Sequence, residues 1–108
     1  MQPQDQNSDQ NQIAKIAAAI KLLIASYDAS GSLLICGNGG SAANANHIAN
    51  DLGHLRSKKY KHGFSAYSLV ANESLFSCYA NDYGYQNVFS KQLENHAKKK
   101  RFINYLIL

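Results

Sequence analysis

Cysteine is scarce in this sequence: among 108 residues only Cys36 and Cys78 carry a thiol. Two thiols do not make the disulfide framework of a small secreted domain, and a reducing cytoplasm is the expected compartment. No apolar run approaches the roughly 20 residues that cross a bilayer, which excludes a membrane channel and a membrane partner. The polar stretch from Met1 to Gln12 lacks the basic-then-apolar order of a secretory leader. Charged residues make up 17% of the chain against 45% hydrophobic, a globular composition and not a disordered one. Collagen, coiled-coil arrays and knottins are excluded on the same grounds. A chain of this length buries roughly two-thirds of its unfolded surface, enough for one core and not two.

Positive charge is in modest excess, +4, and it is clustered. Arg56, Lys58, Lys59 and Lys61 form one run and Lys98 to Arg101 another. Such runs far more often solvate element ends than bind a polyanion. The aromatic interleaving of a single-strand binder is thin around both, so a nucleic-acid partner is not expected.

Along the chain, residues 1–12 are Gln-rich without aromatic or branched aliphatic side chains, which predicts a disordered polar tail. Residues 13–108 then form the folded part. Ile13, Ile16, Ala17, Ile20, Leu23, Ile24 and Tyr27 recur at steps of three and four, the stripe of an amphipathic helix ending near Ala29 and Gly31. Leu33 to Cys36 is a short unbroken apolar run, which fits a strand buried on both faces. Ala45, Ile48, Ala49, Leu52 and Leu55 mark a second helix that ends near Arg56. Phe64 to Leu69 reads as a second strand. Glu73 to Tyr79 and Gln86 to Ala97 read as helices around a loop from Asn81 to Tyr85, and Phe102 to Leu108 as a third strand. The alternation predicts an α/β layer fold with a parallel sheet.

The joint Cys36-Gly37-Asn38-Gly39-Gly40-Ser41 is the most informative stretch. Its glycines let the backbone take positive φ and approach a ligand closely. Ser41 stands where an N-cap belongs, and the free first-turn N–H groups suit a phosphate. A plain capped turn is the competing reading. The spacing Gly37-x-Gly39-x-x-Ala42 also matches a dinucleotide fingerprint, but the acidic partner about 20 residues on is lacking, because that distance falls in the basic stretch 57–62. No Gly-Lys-Ser/Thr is present, which removes a Walker loop, and no nucleotide cofactor is expected.

One helical turn separates His47 from Asp51, which places both on one face to the side of the Ile48–Leu52 stripe. Such a pair can transfer protons, can supply two ligands to a metal that finds others elsewhere, or can be a plain surface pair. Spacing alone favours the surface pair. Cys36 and Cys78 read as small buried hydrophobes.

The run from Leu34 through Gly37-Asn38-Gly39-Gly40-Ser41 to His47-Ile48-Ala49-Asn50-Asp51-Leu52 resembles the signature of the phosphoheptose isomerase (sedoheptulose 7-phosphate isomerase) family of the SIS, or sugar isomerase, superfamily. A second block, Ala80-Asn81-Asp82-Tyr83-Gly84-Tyr85 followed by Val88-Phe89-Ser90 and Gln92, is similar to the same family. The resemblance covers residues from about 13 to about 97. It implies a flavodoxin-like three-layer α/β/α fold, a cytoplasmic homotetramer, and conversion of sedoheptulose 7-phosphate to D-glycero-D-manno-heptose 7-phosphate for lipopolysaccharide and related heptose biosynthesis. By matching position, Asn38, Gly39, Gly40 and Ser41 would line the sugar-phosphate pocket, and Asn81 and Asp82 would also contact substrate. His47 would be a zinc ligand in zinc-bearing members. Asp51 stands in the place of a Glu that is catalytic base, substrate contact and zinc ligand. The family continues with a Ser/Thr-rich phosphate loop and a late helix bearing Gln and His. The expectation is therefore a partial, C-terminally truncated SIS domain over 13–108, inactive alone. The alternative is a non-catalytic SIS module that binds a phosphosugar or a partner protein.

Overall fold

A computed structural model describes residues 3–97 and 103–108. The element order is α1 (Pro3–Asp28), β1 (Ser32–Cys36), α2 (Gly40–His54), β2 (Ala66–Ser68), α3 (Glu73–Tyr83), a 3-10 turn (Tyr85–Asn87), α4 (Val88–Ala97) and β3 (Ile103–Ile107). The three strands form one sheet in the order β2-β1-β3. Both pairings are parallel, with Leu33 opposite Ala66 and Asn104, and Ile35 opposite Ser68 and Leu106.

The unbroken apolar run of β1 has the expected cause. Its side chains alternate between two helical layers, so both faces must be apolar. Leu33 and Ile35 meet Ala45, Ile48, Ala49 and Leu52 of α2, and Leu23 of α1. Leu34 and Cys36 meet Leu69, and Phe89 and Leu93 of α4. Leu34 and Ile35 are fully buried, each contributing roughly 1.5–3 kcal/mol relative to exposure. The result is the expected three-layer α/β/α arrangement with its parallel sheet.

The strand order carries a functional consequence. From β1 the chain crosses to β2 on one side, then returns past β1 to β3 on the other. In open α/β sheets ligands gather beyond the carboxyl end of the strand where the order reverses. That end of β1 is the start of the glycine loop.

Several expectations change. The disordered tail of residues 1–12 gives way to a helix that starts at Pro3; proline is suited to a first helical position, and glutamine is a good helix former. The apolar stripe of α1 is only partly used. Ile13, Ile16 and Ile20 are 66%, 59% and 50% exposed, and packing begins at Leu23 because only the last turns of α1 reach the sheet. Strand β2 is shorter than Phe64–Leu69. Helix α3 runs on through Tyr83 and absorbs Asn81 and Asp82, which were expected in a loop. Cys36 is buried as expected, whereas Cys78 is exposed on α3. The third strand occupies Ile103–Ile107, while Phe102 and the basic run 98–101 lie outside the described residues.

The first basic run lies in the segment between α2 and β2, and Arg56, Lys58, Lys59 and Lys61 are exposed, as expected of a solvated surface run. Arg56 Nη1 donates to the Gly53 carbonyl at 2.9 Å. The far end of the segment is tied to α1: Tyr27 Oη donates to the His62 carbonyl at 2.8 Å, and its ring meets those of Tyr60 and Phe64 edge-on at 5.0 Å.

Candidate functional site

The glycine loop leaves the fully apolar β1 and turns directly into α2. Gly39 is the N-cap, at φ 57° and ψ −123°, a conformation that side-chain-bearing residues rarely adopt. Gly37 is required for another reason. A Cβ there would lie 2.8 Å from the backbone of Ser41. The helix starts two residues earlier than expected, with Gly39 and not Ser41 at the N-cap position, and no side chain caps it. The amides of Ser41 and Ala42 turn back to the Asn38 carbonyl at 2.9 and 3.3 Å, and that of Ala43 to the Gly39 carbonyl at 3.3 Å. Those N–H groups close the turn and are not offered to a ligand.

A cleft of about 420 Å³ opens beside the loop, lined by Gly37, Asn38 and Gly39 on one side and by Glu73, Phe76 and Tyr85 among others on the facing side. Tyr85 bridges it: its hydroxyl donates to Asn38 Oδ1. The two sequence blocks that carried the family resemblance thus meet through one hydrogen bond. Composition gave no signal for Tyr85, since tyrosines occur throughout this chain; its place five residues after the start of the second block was the only pointer.

Of the residues singled out from the sequence, Asn38 and Gly39 line this cleft. Gly40 and Ser41 follow as the first turn of α2. His47 and Asp51 stand further along α2 on its outward face. Their spacing does bring them together, with Nε2 and Oδ2 3.2 Å apart and side chains 75% and 66% exposed. Asn81 and Asp82 are exposed on the last turns of α3, away from the cleft lining. There the exposed Cys78 Sγ donates to Asp82 Oδ2 at 3.4 Å. The Asp82 carboxylate raises the Cys78 thiol pKa, by accepting that hydrogen bond and by its charge. At the loop's base, burial raises the Cys36 thiol.

His47 and Asp51 are two suitable ligands on one face, but zinc sites use three or four protein ligands. Among the described residues no group of three or more His, Cys, Asp or Glu side chains is placed to hold a metal. The described residues do not complete a zinc site. Also among them, no helix is long and apolar enough to cross a membrane.

A sequence profile of the SIS domain family matches residues 5–101. The chain is 39% identical over 85 residues to the phosphoheptose isomerase of Roseiflexus sp. (strain RS-1), an alignment covering 79% of this chain and 43% of that protein. It is 44% identical over 82 residues to the phosphoheptose isomerase of Helicobacter pylori (strain P12), covering 76% and 42% respectively. Its structure is similar to that of the phosphoheptose isomerase GmhA from Neisseria gonorrhoeae, with a TM-score of 0.78 at 28% identity, covering 95% of this chain and 51% of that one. A phosphoheptose isomerase structure from Francisella tularensis shares the fold, with a TM-score of 0.72 at 23% identity over 99% of this chain and 61% of that one. The chain spans less than half the length of these two curated relatives. With the profile running from the first turns of α1 to beyond α4, the chain belongs to the SIS domain family.

Proposed function

We propose that the chain is the sugar-phosphate-binding part of an aldose–ketose isomerase that interconverts sedoheptulose 7-phosphate and D-glycero-D-manno-heptose 7-phosphate in the cytoplasm, in heptose and lipopolysaccharide biosynthesis. The observation that carries this reading is the cleft at the carboxyl end of β1, where the glycine loop faces Tyr85.

In this reading Asn38, Gly39, Gly40 and Ser41 hold the substrate; Asn81 and Asp82, which stand away from the cleft lining, are further contacts on the strength of the resemblance alone. Glu73, on the cleft wall, repels a phosphate from its own side and accepts from sugar hydroxyls. Isomerisation removes a proton from the carbon next to the ketose carbonyl, passes through an enediol and returns a proton to the neighbouring carbon. Asp51 is the base that the resemblance implies, and His47, 3.2 Å away, orients its carboxylate; the pair is not part of the cleft lining. An aspartate in place of glutamate withdraws that carboxylate by one methylene, and a displacement of about 1 Å costs on the order of 100-fold in rate. The pair is open to water on the outward face of α2, so chemistry there needs a covering surface. The homotetramer implied by the resemblance would supply one. A zinc ion at His47 and Asp51 would need further ligands, and no step runs through it.

The chain alone is accordingly expected to be inactive. The test is turnover of sedoheptulose 7-phosphate by this chain and by a version extended through the second half of a family domain. Absence of activity in the extended version overturns the isomerase reading. The exposure of His47 and Asp51 also favours a second reading, a non-catalytic SIS module that binds a phosphosugar or a partner protein. Calorimetric binding of the sugar phosphate without turnover in the extended version would select it.

A further inference from the structure

Asn38 is held at two points. Its backbone carbonyl accepts the amides of Ser41 and Ala42, which fixes it to the start of α2. Its side-chain oxygen accepts from Tyr85. An amide oxygen has two lone pairs, one of which Tyr85 takes, and the two N–H donors remain; among the described residues those of Asn38 have no partner. With the oxygen turned to Tyr85, the N–H end of the amide is the end left for the cleft.

The seat of Tyr85 explains why its hydroxyl arrives there. Gly84 ends α3 at φ 87°, and the chain turns at once into the 3-10 segment. That turn is closed by the Asn87 amide on the Gly84 carbonyl at 3.0 Å and by Asn87 Nδ2 on the Tyr83 carbonyl at 2.9 Å. The Tyr85 ring meets Phe76 edge-on at 6.1 Å, and Phe76 in turn meets Phe89 at 6.0 Å. Phe89 packs on the Leu34–Cys36 face of the sheet. The ring is thus braced through Phe76 and Phe89 against the core, while Tyr85 remains 55% exposed. Its hydroxyl is therefore not needed to satisfy a buried group.

We propose that Tyr85 is a positioning residue of the sugar-phosphate site: it turns the Asn38 amide oxygen toward itself so that the two N–H donors face the ligand. The ligand atoms these donors take are acceptor oxygens, of a phosphate or of a carbonyl on its way to an enediolate. This rests on the sugar-phosphate reading above, but the orientation itself can be tested without any ligand.

The experiment uses the full chain and the variants Tyr85→Phe, Asn38→Ala and the double variant. Tyr85→Phe keeps the ring on Phe76 and removes only the hydroxyl. In proton–nitrogen correlation spectra the Asn38 side-chain amide pair is identified by its loss in Asn38→Ala. In Tyr85→Phe it is expected to shift and to exchange faster with water while the other resonances stay dispersed and in place. In calorimetric titration with sedoheptulose 7-phosphate, each single variant is expected to bind about tenfold more weakly and the double variant no more weakly than either, because one donor set is lost once. An unmoved Asn38 pair in Tyr85→Phe overturns the proposal, as does a double variant weakened by the product of the two singles, about a hundredfold. If the unaltered chain takes up no sugar phosphate, the functional reading fails on its own, and the amide spectrum alone decides for or against the role of Tyr85.

Discussion

The side-chain amide of Gln92 donates to the Leu69 carbonyl at 3.0 Å, and also to the Val88 carbonyl one turn back on its own helix at 3.2 Å. Gln92 is buried, so this amide fastens α4 to the chain leaving β2, just before Val70 on the cleft wall. Gln92→Leu fills the space but strands the Leu69 carbonyl without its donor. A loss of about 1–3 kcal/mol is expected, read as a lower midpoint in urea unfolding with unchanged slope. A variant as stable as the parent would show that water replaces the amide there.

Two neighbouring glycines of the loop should respond in opposite ways. Gly37→Ala drives a Cβ to 2.8 Å from the Ser41 backbone, and the turn must open, at a cost of about 1–3 kcal/mol. Gly40→Ala meets nothing within 4 Å and occupies the first residue of α2, where alanine is the better helix former. It should be neutral or stabilise by about 0.4–1 kcal/mol. Thermal melts of the two variants decide the matter, and equal effects would mean that the loop does not close as described.

Thiol reactivity should follow Asp82 and not exposure alone. Cys78 is exposed, yet its pKa is raised first by the hydrogen bond to Asp82 and then by that residue's charge. A raised pKa leaves less thiolate at neutral pH, so alkylation at pH 7 should be slow for an exposed cysteine. Asp82→Asn removes the charge, lowers the thiol pKa and should speed the reaction several-fold, with the rate profile moving to lower pH. Cys36, buried at the end of β1, should react only on unfolding. An unchanged Cys78 rate in Asp82→Asn would place the cause elsewhere.

Glu73 gives a prediction that separates binding from stability. It stands in the first turn of α3 behind the N-cap Asn72, whose side chain accepts from the Leu75 amide at 3.0 Å. A carboxylate there stabilises the helix by about 0.3–1 kcal/mol, and on the cleft wall it opposes a nearby anion. Glu73→Gln should therefore melt slightly lower while binding inorganic phosphate several-fold more tightly in calorimetric titration. Weaker phosphate binding would mean that the carboxylate does not oppose an anion in this cleft.

What the sequence revealed and what it concealed divide along physical lines. The run from Leu33 to Cys36 and the helical stripe from Ala45 to Leu52 were legible because burial on a defined face leaves a period. The Gly37–Ser41 joint was legible because a strand passing into a helix around a glycine at positive φ has few sequence solutions. The start of α1 was not legible, because glutamine is equally at home in a coil and on a solvent-facing helix. Nor was the exposure of Ile13, Ile16 and Ile20, since periodicity gives the face of a helix but not whether anything covers it. His47 and Asp51 were correctly paired by spacing, yet their openness to water depends on tertiary placement. The bond from Tyr85 to Asn38 spans 47 positions, a separation at which no local pattern operates.

The end of β1 is held from both sides immediately before the glycine loop begins. The Leu69 amide donates to the Ile35 carbonyl at 2.8 Å, and the Leu108 amide to the Cys36 carbonyl at 2.9 Å. The loop therefore rises from a root held on both sides, while its crest is tied through Asn38 to α2 and to Tyr85. The two amides at the root continue the pairing of β1 with its neighbours on either side. Their hydrogen-exchange rates gauge the integrity of the foundation separately from the mobility of what stands on it.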